Sequence, residues 1–162
     1  MKLLKLDIGF EQYDNVNELD EKDNALCNLA EQALTGSYSP YSNFKVGTAI
    51  RLASGQTILG SNQENLAYPS GLCAERVALF NIGHNHPDAI IESMAITAKT
   101  DNFEITKPIT SCGGCLQVMA EFERKQKTPI TVIFYCLNGE VLKMPSVKSL
   151  LPFSFVEDRL ER

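Results

Sequence analysis

The stretches CAER at 73–76 and CGGC at 112–115 decide how this chain is interpreted. The Cys-x-x-Cys pair places two sulfurs on one turn, and Cys73 can close the site from another segment. Three thiolates can bind one zinc ion and leave a position open for water, whereas structural zinc sites take four protein ligands. The pattern therefore predicts a catalytic zinc site with Cys73, Cys112 and Cys115 as its ligands.

Glu75 follows Cys73 by two residues, which is too close for a comfortable fourth ligand but suits a carboxylate beside a metal-bound water. A metal lowers the pKa of its water, and a neighbouring carboxylate can move the proton. The arrangement is typical of a hydrolytic site. By itself, Glu75 could instead be a solvated acid in the first turn of a helix.

Length and composition favour a globular domain that acts on small molecules. The chain has 162 residues, of which 44% are hydrophobic and 22% charged, and its net charge is -5. It has no run of Lys and Arg that would follow a phosphate backbone, so we expect no nucleic-acid partner. No apolar run reaches the roughly 18 residues of a membrane span, so we expect no membrane partner either.

The first ten residues do not resemble a signal peptide, because Lys5 and Asp7 interrupt their apolar run. We therefore expect a cytoplasmic protein, in which its five cysteines stay reduced. Cys27 and Cys136 fall in helix-like and strand-like patterns and are interpreted as small buried hydrophobic residues.

Apolar and polar residues alternate from Leu4 to Glu11, which predicts a short edge strand. Residues 1–17 are interpreted as an N-terminal extension, and residues 18–162 as a single domain. Further strands are predicted at 45–53, 56–60, 89–98, 130–136 and 140–144, and helices at 19–34, 73–83, from 112 past 122, and from 145 to before 152. This alternation predicts an α/β sandwich in which helices cover both faces of a mixed sheet.

Three further stretches accompany the cysteine motifs: SPYSNFKVG at 39–47, NQEN at 62–65 and LLPFSF at 150–155. Together they resemble the small cytidine deaminases, which act on free nucleosides and use three cysteines. The resemblance runs from about Leu19 to Phe155. It implies a three-layer α/β/α sandwich with a mixed five-stranded sheet, one zinc ion per subunit and a homotetramer.

The resemblance also implies an activity, the hydrolytic deamination of cytidine or deoxycytidine with release of ammonia in pyrimidine salvage. Glu75 would take a proton from water and pass it to the ring and the leaving amine. Arg76 would hydrogen-bond to the ligand sulfurs; otherwise it would be a surface arginine of the helix.

Residues for substrate binding are carried over in the same way. Phe44 would stack on the pyrimidine, with Val46 packed beneath it. Asn62 and Glu64 would hold the ribose 3′-hydroxyl, and the backbone N–H of Ala74 would bind the base carbonyl oxygen.

Two aromatic residues are expected to contribute across a subunit interface. Phe155 would reach into a neighbouring subunit's site, and Tyr68 would lie near the shared interface. Both residues could equally be plain packing residues.

The chain departs from the family's Pro-Cys-Gly-Ala-Cys-Arg-Gln pattern at three positions. Ser111 replaces proline, which would soften the loop before the ligand. Gly114 replaces alanine at a cost of up to about 1 kcal/mol if it is helical. Leu116 replaces arginine and so removes a positive charge from the neighbourhood of the metal.

Other interpretations of the chain remain open. The enzyme could act on another aminopyrimidine nucleoside, such as a nucleoside antibiotic, and nucleic-acid editing is disfavoured by the acidic balance. A purely structural zinc module would need a fourth protein ligand. His84 and His86 are the histidines of the chain, and both follow the expected end of the second helix.

Overall fold

A central mixed sheet organises the molecule in a computed structural model, which describes residues 1–160. The strands are β1 (Glu11–Tyr13), β2 (Lys45–Leu52), β3 (Thr57–Ser61), β4 (Ile91–Lys99), β5 (Thr131–Tyr135) and β6 (Val141–Met144). The helices are α1 (Glu21–Ala33), α2 (Ala74–Asn85), α3 (Gly113–Gln126) and α4 (Val147–Leu150). The strand order is β1-β6-β5-β4-β2-β3, with β4 and β5 parallel and the other neighbours antiparallel.

Helices cover both faces of this sheet, as predicted. Along β4, Ala95 packs in one hydrophobic cluster with residues of α1, while Met94 and Ile96 pack in the other with residues of α2, α3 and α4. Successive side chains of a strand point to opposite faces, so the alternating pattern builds two cores at once. The three-layer α/β/α sandwich is thereby confirmed.

The expectation of five strands was wrong, because β1 adds a sixth at the edge of the sheet. The predicted edge strand is also displaced, since pairing begins at Glu11 rather than at Leu4. Residues 1–10 have no regular secondary structure and are exposed. The strand that pairs with β1 is β6, which is four residues long. It is followed by Pro145, which has no N–H to continue the pairing towards residues 1–10.

A buried carboxylate joins β2 and β6 to the helical layer on one face. Asp23 of α1 is 4% exposed and forms ion pairs of 2.9 Å with both Arg51 of β2 and Lys143 of β6. Burial alone would raise the pKa of Asp23, but the hydrogen bonds and charges of Lys143 and Arg51 outweigh it and lower that pKa. The carboxylate therefore stays ionised, and it connects three elements of the fold.

The order of strands and helices brings the starts of α2 and α3 together. β3 and β4 are both antiparallel to β2 and hence parallel to each other, and β5 is parallel to β4. Both β3–α2–β4 and β4–α3–β5 are thus crossovers between parallel strands, and each helix begins where a strand ends. The carboxyl ends of parallel strands share one edge of the sheet, so the N-termini of α2 and α3 lie at that edge.

Gly60 of β3 allows α2 to approach the sheet closely. A Cβ atom at this position would lie 2.4 Å from the carbonyl oxygen of Ala74 and 2.8 Å from both the Cβ and the backbone nitrogen of Ala78. Contacts this short with a helix backbone would force the first turn of α2 away from the sheet.

Within residues 1–160, no helix combines the length and the apolar character that crossing a lipid bilayer requires.

We expect Gly60→Ala to destabilise the protein by about 1–3 kcal/mol, because overpacking against a helix backbone cannot be relieved by side-chain rotation. Urea denaturation would measure the free energy of unfolding. Gly9→Ala is the matched control, since nothing lies within 4 Å of a Cβ added there. A Gly60→Ala protein within about 0.5 kcal/mol of the parent would contradict the close approach.

Candidate active site

The three predicted ligand cysteines converge where α2 and α3 begin. Cys73 is the N-cap residue of α2 and Cys112 is the N-cap residue of α3, and neither side chain caps its helix. Cys115 follows Cys112 by three residues, so their side chains share one side of the helix. The three Sγ atoms lie within 4.8 Å of one another, with 4.0 Å between those of Cys73 and Cys112.

This geometry fits a tetrahedral zinc ion. Zinc–sulfur bonds of about 2.3 Å in a tetrahedron place sulfurs about 3.8 Å apart, close to the spacing found here. Among residues 1–160, no other group of three or more His, Cys, Asp or Glu side chains is as close together. His84 and His86 lie at the far end of α2, roughly 16 Å or more from Cys73 at 1.5 Å per residue. Three protein donors leave a fourth position open, as catalytic zinc sites require.

Positive charge beside Cys73 favours its thiolate. The Cys115 thiol donates a hydrogen bond to the Cys73 sulfur and, with the Arg76 guanidinium, lowers the pKa of the Cys73 thiol to about 5 despite its burial. Sharing that proton and being buried raises the pKa of Cys115. Arg76 Nη2 lies 3.7 Å from Cys73 Sγ, and two helix N-termini add their partial positive charge. The thiolate is the form of cysteine that binds metal.

Glu75 occupies the first turn of α2 beside these sulfurs, with 4% of its surface exposed. Burial raises the pKa of its carboxyl group, and a hydrogen bond from Ser111 opposes the shift only in part. A raised pKa makes a carboxylate a better proton acceptor. The environment of Glu75 therefore suits proton transfer.

Ser111 makes a contact that the sequence did not predict. Its hydroxyl donates a hydrogen bond of 2.7 Å to Oε1 of Glu75, across 36 residues of chain. From the sequence, only the loss of a rigid proline was expected at this position. The available signal was a hydroxyl group placed directly before the ligand Cys112.

Of the other two departures from the family pattern, Leu116 has a local explanation and Gly114 has none in the structure. Leu116 is half-buried and packs against the hydrophobic core that α3 shares with the sheet, so an apolar residue suits the site. Gly114 is inside α3, and a Cβ there would contact nothing closer than Cys112 Sγ at 4.0 Å. The structure has room for alanine at Gly114.

A cavity of about 780 Å³ opens in front of the cysteines and Glu75. Phe44 and Val46 line it, as does Ile96 from the carboxyl-terminal half of β4. Phe44 also stacks on Phe103, with ring centroids 6.2 Å apart and planes inclined by 28°. Ala74 is fully buried as the first residue of α2, where helix geometry leaves its backbone N–H without a partner inside the helix. An apolar cavity of this size, with a few polar groups, suits a small ligand.

Asn62 lines the cavity and also braces the segment that carries Phe44. Its Oδ1 accepts hydrogen bonds from Ser37 Oγ at 2.6 Å and from the Val46 N–H at 2.8 Å. Its Nδ2 donates to the Phe44 carbonyl oxygen at 2.9 Å. Asn62 therefore holds the segment that carries Phe44, a role beyond the predicted binding of the ribose 3′-hydroxyl.

Glu64 holds the same segment from its other side. Its carboxylate accepts hydrogen bonds from the Tyr41 N–H at 2.9 Å and from the Ser42 hydroxyl at 2.5 Å. The Ser42 hydroxyl is the main cause that lowers the pKa of Glu64, which lines the cavity as a carboxylate. The predicted sugar ligands and the predicted stacking ring therefore form one connected unit.

The structure does not bring Phe155 to the site of its own chain. Its backbone is held by Gln117 of α3, which accepts from the Phe155 N–H at 2.8 Å and donates to its carbonyl oxygen at 2.9 Å. The Phe155 residue is 71% exposed and is not among the residues that line the cavity. Tyr68 does line the cavity and is 76% exposed, with its ring edge-on to Tyr41.

Comparison with known proteins agrees with this geometry. Residues 20–131 match a family described as the cytidine and deoxycytidylate deaminase zinc-binding region. A cytidine deaminase of Halalkalibacterium halodurans is 36% identical over 135 residues, which are 82% of this chain and 93% of the relative. A cytidine deaminase of Mycoplasma genitalium is 36% identical over 74% of this chain and 84% of its own length.

Solved structures give the same result. The crystal structure of a cytidine deaminase from Burkholderia pseudomallei aligns with a TM-score of 0.70 at 36% identity, over 81% of this chain and 97% of that one. One from Mycobacterium tuberculosis aligns with a TM-score of 0.61 at 27% identity, over 86% and 100% of the two chains. Zinc is therefore the cofactor, and the cysteine cluster is where it fits. The chain belongs to the cytidine and deoxycytidylate deaminase family.

Proposed function

We propose that this protein hydrolyses cytidine and deoxycytidine to uridine and deoxyuridine with release of ammonia, in pyrimidine salvage. The observation that carries the proposal is a buried carboxyl group, Glu75, beside three convergent cysteine sulfurs at the base of a cavity. Names of relatives at 33–36% identity support the substrate class. Water supplies the new carbonyl oxygen, and the exocyclic amine leaves as ammonia.

Cys73, Cys112 and Cys115 are the residues that would hold zinc. A zinc ion bound there would supply a Lewis acid that makes water acidic near neutral pH. The chain's contribution is positive charge beside the sulfurs, from Arg76 and the two helix N-termini. Because the close group of possible ligands found within residues 1–160 consists of three cysteines and no fourth residue, a purely structural zinc module is disfavoured.

Glu75 is the proton carrier in this proposal. Its carboxylate takes one proton from water and passes it to the ring nitrogen next to the reacting carbon. The second proton of the same water goes to the amine, which leaves as ammonia when its bond to carbon breaks. Burial, which raises the pKa of the Glu75 carboxyl group, supports its role as the group that takes up the proton.

The remaining cavity residues bind and orient the nucleoside. Phe44 stacks on the pyrimidine with Val46 beneath, and the Ala74 N–H donates to the base carbonyl oxygen. Asn62 and Glu64 bind the ribose 3′-hydroxyl, to which an amide can donate and from which a carboxylate can accept. The bracing hydrogen bonds of both residues hold the sugar site and the ring site at a constant separation.

We further propose a homotetramer in which Phe155 enters a neighbour's cavity and Tyr68 lies at the interface. The exposure of both rings supports it, since large exposed apolar areas mark interaction surfaces. Nucleoside salvage and the five unpaired cysteines support the cytoplasm, where thiols stay reduced.

Ammonia release by the purified zinc protein tests the function. Cytidine and deoxycytidine should be converted, and adenosine, a purine nucleoside, is the control. No ammonia from either cytosine nucleoside, with zinc bound at one per chain, would overturn the proposal.

Glu75→Gln should retain zinc but lose at least roughly 10²–10⁴-fold in kcat, the share that general acid–base catalysis supplies. Glu121→Gln, which alters an exposed carboxylate of α3, should leave kcat unchanged. Near-normal turnover by zinc-loaded Glu75→Gln would remove Glu75 from the mechanism.

Arg76→Gln should release zinc to a competing chelator about 10 to 100 times faster than the parent, because a hydrogen bond to a thiolate is lost. The release is followed with a colorimetric chelator. Arg159→Gln changes an arginine exposed near the carboxyl terminus and should not alter the rate. Equal rates of zinc release from Arg76→Gln and the parent would contradict the role of Arg76. Backbone groups would then be the only ones that offset the negative charge of the site.

Phe155→Ala should raise KM for cytidine by about 10- to 100-fold. This is the loss of affinity expected when one phenylalanine side chain is no longer buried against the substrate. Phe153→Ala, which removes a ring that is 89% exposed two residues earlier, is the matched control. Sedimentation velocity should give a tetramer for the parent. A fully active monomer would contradict the shared cavity.

A further inference from the structure

We infer that Ser111 is a positioning residue, which holds the Glu75 carboxylate in the orientation that proton transfer requires. The inference rests on the proposed function and deepens it. Its starting point is the 2.7 Å hydrogen bond from Ser111 Oγ to Glu75 Oε1. The motif that the chain resembles has proline at this position, and proline has no hydroxyl, so this bond belongs to the chain's own sequence.

The Glu75 side chain needs such an anchor. The last torsion of a glutamate, which turns the carboxylate plane, is broad and nearly two-fold, so steric packing alone does not fix it. A hydroxyl that donates to one oxygen selects one plane and thereby fixes the direction of the second oxygen. Proton transfer depends on that direction, since catalytic groups act at hydrogen-bond distance from the proton they move.

The Ser111 hydroxyl has no competing structural duty at the start of α3. The N-cap of α3 is Cys112, and no side chain supplies its cap, so Ser111 does not cap the helix. Its hydroxyl is directed instead to the first turn of α2. The bond therefore connects the two helix N-termini that carry the cysteines, and it does so at Glu75.

The position of Ser111 supports an effect on turnover rather than on substrate binding. Its two neighbours, Thr110 and Cys112, line the cavity, whereas Ser111 is absent from the cavity lining. Ser111 therefore affects the reaction only indirectly, through its hydrogen bond to Glu75. Its loss should lower kcat and leave KM nearly unchanged.

The test compares two replacements of Ser111 whose side chains have the same shape as each other. Ser111→Thr keeps the hydroxyl, whereas Ser111→Val has a methyl group in its place. We expect Ser111→Val to lose about 10- to 100-fold in kcat for cytidine, with KM within about threefold and zinc at one per chain. Ser111→Thr should keep kcat within about threefold of the parent. Ser54→Ala, which removes an exposed hydroxyl at the β2–β3 turn, is the control for losing a serine hydroxyl elsewhere.

Three results would overturn the inference: equal kcat for the Thr and Val variants, a loss confined to KM, or a loss explained by missing zinc. A crystal structure of Ser111→Ala gives a readout independent of turnover. It should show the Glu75 carboxylate in more than one orientation, and a single orientation matching the parent would overturn the inference. If the parent releases no ammonia from cytidine, the proposed function fails, while this structural comparison still decides whether Ser111 orients Glu75.

Discussion

The structure depends on two helices that begin at the same edge of the sheet. Because β3, β4 and β5 run in parallel, both crossovers return the chain to that edge, and α2 and α3 start side by side. The cysteines that start these helices are thereby brought together without any covalent link. The same geometry places the positive ends of two helix dipoles beside the three sulfurs that would bind zinc.

Close packing of helices on the sheet fixes the positions at which the helices begin. Gly60 lets α2 lie directly on β3, and on the opposite face Gly47 does the same for α1, where a Cβ would lie 2.2 Å from the Ala30 carbonyl oxygen. Both helices are held nearer to the sheet than a side chain would permit. Since sulfur ligands tolerate errors of only a few tenths of an ångström, the spacing of these layers is part of the metal site.

The cavity residues support one another as well as the ligand. Asn62 and Glu64 hydrogen-bond to the segment that carries Phe44, so the polar and the aromatic sides of the cavity are directly connected. Glu75 is linked in the same manner to Ser111. The site is thus pre-organised by hydrogen bonds between elements that are distant in sequence, which reduces the ordering cost of binding.

The reaction class and the two-sided sandwich could be predicted from the sequence. Ligand spacing within CGGC follows from helix geometry, and alternation along β4 follows from the strand repeat, so both are local properties. The sixth strand, the absence of Phe155 from the lining of its own cavity and the hydrogen bond between Ser111 and Glu75 could not be predicted in this way. These depend on which distant segments meet. The alternating pattern of residues 4–10, for example, is the pattern of a strand, but strand pairing needs a neighbour with free N–H groups, and β6 ends too soon to provide one.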